Sequence, residues 1–358
     1  MPPCSPKNMF FIAHQDTNSN PRILTGARPG RIRLSCNRKY ILRLRRFGLS
    51  CIQVDFKGGD LFLGRQKELT DRDKELLSLL ARCRVLEIDD VARVYGVKDY
   101  HRARVRELNE RGYLLRRKGY VEIAQKGLQK VVPGAKVTPV RDDKQRSKLA
   151  EFARMHFALK DNWEFVFAGE YKRQIQAVSF ARFGAVIARD GVWYAVYLLP
   201  SAVRDTNVKK LRQEIGGLPR YGITRAVVFH AGEKAALQFG DNPCGLKSLL
   251  LLPYPDGLDI LNQRDDIYSF IRSKYPRFSP CGRPFADLEH GGAYISILVD
   301  NDLAKQKYLR DYLERVQEME GRTCVGVCLS NQKEQLAEAF PRLKLVVIPE
   351  KLINRRAV

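Results

Sequence analysis

Residues 69–127 read LTDRDKELLSLLARCRVLEIDDVARVYGVKDYHRARVRELNERGYLLRRKGYVEIAQKG, and they hold three helix patterns followed by two strand patterns. Thr70 before Asp71 and Asp73 is an N-cap with acidic residues in the first turn, where they favour the positive end of the helix dipole. Leu76, Leu77, Leu79 and Leu80 then give a first helix an apolar stripe that ends near Cys83. A second, short helix from about Asp89 to Tyr95 buries Ile88, Val91, Ala92 and Tyr95 at i, i+3, i+4 and i+7, and Gly96 closes it. The third runs from about Lys98 to Arg111, with Val105 and Leu108 as inward knobs and His101 one turn before them as a packing residue. After Gly112, Tyr113–Arg117 and Tyr120–Ile123 read as strands joined by Lys118-Gly119.

Three helices followed by a β-hairpin is the element order of a winged helix-turn-helix, an α+β head. Arg102 and Arg106, four residues apart, share the flank of the third helix turned away from Val105 and Leu108. From there they can reach base edges or phosphates in a major groove. Arg116, Arg117 and Lys118 make the tip of the hairpin basic. The expected DNA contacts are therefore Lys98, Tyr100, Arg102, Arg104 and Arg106 on the third helix and Arg116, Arg117 and Lys118 on the wing.

The charge distribution points the same way. The 358-residue chain carries a formal net charge of +23. Residues 1–65 hold 12 basic and 3 acidic side chains, and residues 66–130 hold 16 and 11, so +14 lies in little more than a third of the length. Such a basic end suits a polyanion, because Lys and Arg that neutralise phosphates release condensed counterions. Within 1–65, five prolines argue for an irregular leader to about residue 30. Arg31–Leu34 and Tyr40–Phe47 then alternate basic and apolar residues, as a half-exposed strand or a basic arm that orders on a phosphate backbone would.

Several of these residues also carry a resemblance. Leu69-Thr70-Asp71-Arg72-Asp73, the Leu-rich first helix, Arg102-x-Arg104-x-Arg106-x-Leu108-x-x-x-Gly112-Tyr113-Leu114 and the closing Ala124-Gln125-Lys126-Gly127 resemble the replication-relaxation family of plasmids and conjugative elements, most clearly over residues 66–130. The resemblance implies a protein of a mobile genetic element that binds DNA at an origin in plasmid replication or conjugative mobilisation.

Residues 131–146, with Pro133, Gly134 and Pro139, read as a linker. From Ser147 a helix carries Leu149, Phe152 and Ala153. Apolar runs at Ile175–Val178, Gly184–Ala188, Val192–Leu199 and Ile223–Phe229 come next, with an Arg189-Asp190-Gly191 turn between the second and third and a helix at Asn207–Ile215. This α/β order is similar to the restriction-endonuclease-like core. Nucleases of that kind hold a divalent metal with an acidic residue on one strand and a Glu-x-Lys or Asp-x-Lys on the next. The corresponding positions here are Gly184, Ala195 and Tyr197, which ligate nothing. Glu170, Asp190, Asp205 and Glu214 are nearby; Asp190 is explained by turn chemistry, and Glu170 is the one carboxylate arguable as a displaced ligand. The expectation is a nuclease-like scaffold without catalytic or metal-binding residues.

From about residue 290 strands and helices alternate: Tyr294–Val299, Leu303–Met319, Thr323–Leu329, Gln332–Phe340 and Leu343–Ile348. This β-α-β-α-β order predicts a parallel three-stranded sheet, either separate or continuing the preceding one. Gly291-Gly292 precedes its first strand, where a phosphate loop would come after it. Asp300 and Asp302 fit N-capping of the next helix better than a cation site. The domains expected are thus a basic arm or small β segment at 1–65, the winged helix at 66–130, the linker, a nuclease-like α/β domain at 147–289 and a C-terminal unit at 290–358.

The eight cysteines show no C-x-x-C pair, and Cys324 and Cys328 fall on one face of an apolar strand, as reduced core residues would. No apolar run is long enough to span a membrane, and the N-terminus lacks a signal-peptide pattern, so a cytoplasmic protein is expected. The function expected is a double-stranded DNA-binding protein without cofactors, with a relaxase, a replication initiator or a second copy of the chain as further partners. A metal-dependent nuclease with displaced carboxylates, and a regulator or protein-interaction scaffold, are the alternatives.

Overall fold

Thr70 opens the first helix as an N-cap, accepting from the Asp73 amide at 3.2 Å while its own amide donates to Asp73 Oδ2 at 2.7 Å. The helix, α1 (Asp71–Cys83), buries Leu76, Leu77, Leu79, Leu80 and Cys83. A short strand, β1 (Val85–Glu87), leads into α2 (Ile88–Tyr95), which Gly96 ends at φ 68°. α3 (Tyr100–Glu110) buries His101, Arg104, Val105 and Leu108. The hairpin of β2 (Leu114–Arg117) and β3 (Tyr120–Ile123) turns through Lys118 at φ 45° and Gly119 at φ 88°, the left-handed pair a two-residue turn requires. α4 (Gln125–Val131) is next, and Gly127 within it lies so close to the Tyr113 carbonyl that a Cβ would stand 2.2 Å from the oxygen. The computed structural model describes residues 68–96, 99–175 and 182–349. The predicted arm at 1–65 lies outside them, and Thr70–Val358 forms one compact unit. The three helices and the hairpin stand where their spacing predicts, with β1 and α4 added. The three strands form an antiparallel sheet ordered β1-β3-β2.

α5 (Asp143–Leu159) covers that sheet. Asp142 caps it by accepting from the Gln145 amide at 2.7 Å, and Ala150 packs with Val85 and Val140. Arg146, nearly buried, donates from Nε to Glu122 Oε1 of β3 at 2.6 Å. Thus the segment read as a linker and the helix after it are packed on the head.

The second sheet is ordered β4-β5-β6-β7-β8. β4 (Glu164–Phe167), β5 (Ala185–Arg189) and β6 (Val192–Leu199) run antiparallel in turn, whereas β7 (Arg225–His230) and β8 (Ser248–Pro253) are parallel to β6. α6 (Ala168–Gln174) comes after β4, α7 (Asp205–Gly216) links β6 to β7, and α8 (Glu233–Phe239) precedes β8. The first strand of this sheet is therefore β4, not the predicted run at Ile175–Val178. Ile175 ends α6, and residues 176–178 lie outside the described residues. The aromatic run Trp163–Phe167 supplies the strand instead, burying Phe165 and Phe167 on its alternating face. Asp190 and Gly191 turn the β5–β6 hairpin at φ 51° and 74°, as predicted.

After α9 (Gly257–Asn262) and α10 (Arg264–Lys274) comes a third sheet ordered β13-β12-β11-β10-β9. β9 (Ser279–Pro280) and β10 (Leu288–His290) are antiparallel additions to β11 (Ala293–Ile297). α11 (Leu303–Arg315) and α12 (Gln317–Glu320) lead to β12 (Thr323–Cys328), and α13 (Lys333–Ala339) to β13 (Lys344–Val347), giving the predicted parallel trio. This sheet does not continue the second one. The two meet at a bridge between Leu250 and Asp302, where Asn301 Nδ2 donates to the Leu251 carbonyl at 2.7 Å. Cys324 and Cys328 are buried in the third core, and burial pushes the Cys324 thiol up to about 11. The molecule is mixed α/β, and no helix among the described residues is long and apolar enough to cross a membrane.

Candidate nucleic-acid interface

α3 presents its polar side between the buried stripe and solvent. Arg102 and Arg106 are exposed, as is Tyr100, whose ring packs edge-on against buried Tyr95 with centroids 5.7 Å apart. Arg102 donates to Asp89 of α2 at 2.9 Å, and both side chains are mostly solvated. A pair of that kind is worth at most about 1 kcal/mol, so a phosphate can displace the carboxylate. Arg106 has no ion-pair partner among the described residues.

The hairpin is tied to the same flank. Asn109 near the end of α3 accepts from the Arg116 amide at 3.1 Å, which fixes the edge strand β2 against the helix. Arg116 and Arg117 are exposed on that edge strand. Lys118 at the tip is exposed and donates to Asp143 at the start of α5, 2.6 Å away. Lys98 lies outside the described residues.

Arg104 corrects the expectation. Only 5% exposed, it donates from Nε to Asp73 Oδ1 at 2.9 Å, pairs with Asp73 Oδ2 through Nη2, and also reaches Glu107. It therefore cannot reach a DNA backbone. The signal was in the spacing: Arg104 stands three residues after His101 and four before Leu108, on the buried stripe. Asp73, fully buried, also accepts from Tyr95 Oη at 2.7 Å. Burial alone would raise its carboxyl, but hydrogen bonds from Arg104, Tyr95 and Thr70 outweigh that cost and hold it at about 2. His101 is buried with neither ring nitrogen hydrogen-bonded, in keeping with a packing role.

The nuclease-like positions are packed shut. Gly184 lies against Phe152 so closely that a Cβ would stand 2.0 Å from the ring, which leaves no room for a carboxylate. Ala195 is wholly buried, and Tyr197 is buried in the core. Glu170 accepts from Arg82 Nε at 2.9 Å and from the Phe167 amide at 3.3 Å, so both oxygens have local partners. Asp205 accepts weakly from Gln238, and Glu214 from the Arg182 amide. Among the described residues no three His, Cys, Asp or Glu side chains stand close enough to hold a metal ion. Asp302 caps α11, accepting from the Ala304 and Lys305 amides at 2.9 and 3.3 Å, whereas Asp300 does not cap and pairs with Arg264 at 3.1 Å. No protein-family model matches the chain, and no curated protein matches it.

Proposed function

We propose that residues 70–131 form a winged helix-turn-helix that binds double-stranded DNA, with α3 in the major groove and the β2–β3 hairpin along the backbone. The observation that carries this reading is the shared flank of α3 and β2. Arg102 and Arg106 are solvent-exposed on α3, Arg116 and Arg117 are solvent-exposed on the two faces of β2, and the Asn109–Arg116 hydrogen bond holds the two elements together. A basic N-terminal third of the chain adds sequence-independent affinity for phosphate.

In this reading the α5-β4-α6-β5-β6-α7-β7 segment is a restriction-endonuclease-like core that has lost its metal ligands, and the protein binds DNA without cutting it. Its placement in the cytoplasm with a mobile element, in replication or mobilisation at an origin, rests on the family resemblance of residues 66–130. A relaxase or replication initiator is the protein partner that role requires.

Mobility-shift titration tests the reading. Arg102→Ala with Arg106→Ala should weaken binding to element-derived origin DNA by tenfold or more, since each base or phosphate contact is worth about 1–3 kcal/mol. Equal affinity for origin and random duplex, together with no effect of the double substitution, would sink it. Cleavage of supercoiled or single-stranded DNA with Mg²⁺ or Mn²⁺, abolished by Glu170→Ala, would establish the nuclease alternative instead.

A further inference from the structure

α5, α6 and α7 each bring a charged side chain to the short segment that leads into β5. Arg182 lies in that segment; its amide donates to Glu214 of α7, and its Nε stands 4.0 Å from the other Glu214 oxygen. Lys172 of α6 holds its ammonium 4.8 Å from the centroid of the Phe183 ring. Lys148 of α5 holds its own 6.0 Å from the centroid of the Phe152 ring, which in turn lies against Gly184. The two ammoniums therefore flank Arg182–Gly184 from two helices. Lys148 feels the charges of Glu214 and Arg182, and Lys172 those of Glu214 and Lys148.

Three cations thus meet around a single carboxylate among the described residues. Lys148 and Arg182 are exposed, whereas the Glu214 side chain is only 17% exposed. Both lysines are held below the ordinary lysine pKa, first by desolvation and also by like charge, which Glu214 only partly offsets. An anion arriving at the cluster relieves both costs. A divalent metal ion finds the opposite: Gly184, where a nuclease-like core would carry its first ligand, has no carboxylate, and the cations around it repel a metal.

The position of the cluster favours nucleic acid as the anion. α5 begins at the hairpin, where Lys118 at the tip donates to Asp143 in the first turn of the helix. Lys148 follows five residues later, about 7.5 Å along the helix axis. Lys144, also exposed, stands one turn before Lys148 on the same flank. Exposed cations thus run from the tip of the hairpin to the cluster.

We propose that Lys148, Lys172 and Arg182 hold backbone phosphates of DNA, as a second contact beyond the segment bound by α3 and the hairpin. The proposal rests on the duplex-binding reading for its ligand but uses none of the residues of that face.

Fluorescence anisotropy of the full chain with a random duplex of about three helical turns, titrated across a range of salt, tests it. Lys148→Gln with Arg182→Gln should weaken binding about tenfold near physiological salt and reduce the salt slope by about 2, since each phosphate contact contributes about 0.9. Glu214→Gln, which keeps an acceptor for the Arg182 amide, should tighten binding severalfold. Arg272→Gln with Lys274→Gln, an exposed pair on α10 that removes the same charge, should change affinity little. If Arg182→Gln unfolds the chain, Lys148→Gln alone should lower the slope by about 1. An effect of the cluster substitutions alongside indifference to Arg102→Ala with Arg106→Ala would keep this contact and sink the α3 reading; the converse would keep α3 and sink this one. An unchanged salt slope, or a loss no greater than that of the α10 pair, would overturn the proposal. So would displacement of the duplex by a poly-glutamate peptide at lower concentration than by unlabelled duplex, which would point to an acidic protein partner.

Discussion

Removing the guanidinium of Arg104 would leave Asp73 charged and fully buried with only Tyr95 and Thr70 to solvate it. Breaking one partner of a buried pair costs about 3–5 kcal/mol, so Arg104→Ala should lower stability by that amount in denaturant titration. Any loss of DNA binding should then track unfolding rather than a missing contact. Exposed Arg106→Ala should leave stability within about 0.5 kcal/mol of the parent and act on DNA affinity alone. The same pair sets an acid limit. The Asp73 carboxyl is held at about 2, below its ordinary 3.8, so the stability it contributes is complete above pH 4. That contribution, about 2 kcal/mol, is lost as pH falls from 4 through 2. Replacing Asp73 by Asn should flatten the unfolding free energy across that window.

The elements carry two further expectations. On the hairpin, Arg117 is exposed, and the proposed duplex binding would use it on the DNA backbone, so Arg117→Ala should weaken all duplex sequences alike and reduce the salt slope of binding by about 1. A sequence-selective loss would place it at a base instead. Just before β5, introducing a carboxylate at position 184 should not create metal binding. The Phe152 ring fills that space, and Gly184→Asp combines overpacking with a buried charge, so a loss of about 3 kcal/mol or more is expected in thermal melts. Well-folded Gly184→Asp protein that binds Mn²⁺ would contradict this account of the strand.

At the scale of the molecule, α5 joins the head to the second sheet. Arg146 pairs with Glu122 of β3, Arg154 pairs with Glu87 of β1 at 2.7 Å, and Ala150 packs beside Val85. A fragment ending near residue 134 loses all of these, and hydrogen exchange should find β1 and β3 less protected in it than in the full chain. His156 on α5 sits among Phe157, Phe165 and Phe167. Burial, helped by the Arg82 and Lys160 charges, lowers its pKa to about 4. The unfolded chain therefore takes up its proton near pH 6.5 and the folded one only near 4, so melting temperature should fall as pH drops between those values, and His156→Phe should remove most of that slope. The local elements were legible in the residues themselves: the Thr70 cap, the stripes of α1 and α2, the turns at Lys118-Gly119 and Asp190-Gly191, and the parallel trio at the C-terminus. All but the last depend on neighbours within a few residues and on short-range sterics, and the trio follows from its β-α-β-α-β order, whose crossovers make the strands parallel. Helical spacing put Arg104 on the buried stripe, but only long-range packing supplied Asp73 as its partner, and long-range packing also made Glu164–Phe167 the first strand of the second sheet. It also set the third sheet apart from the second. In each case the deciding interaction joins side chains many residues apart in the chain, where helical or strand periodicity carries no information about which partner arrives.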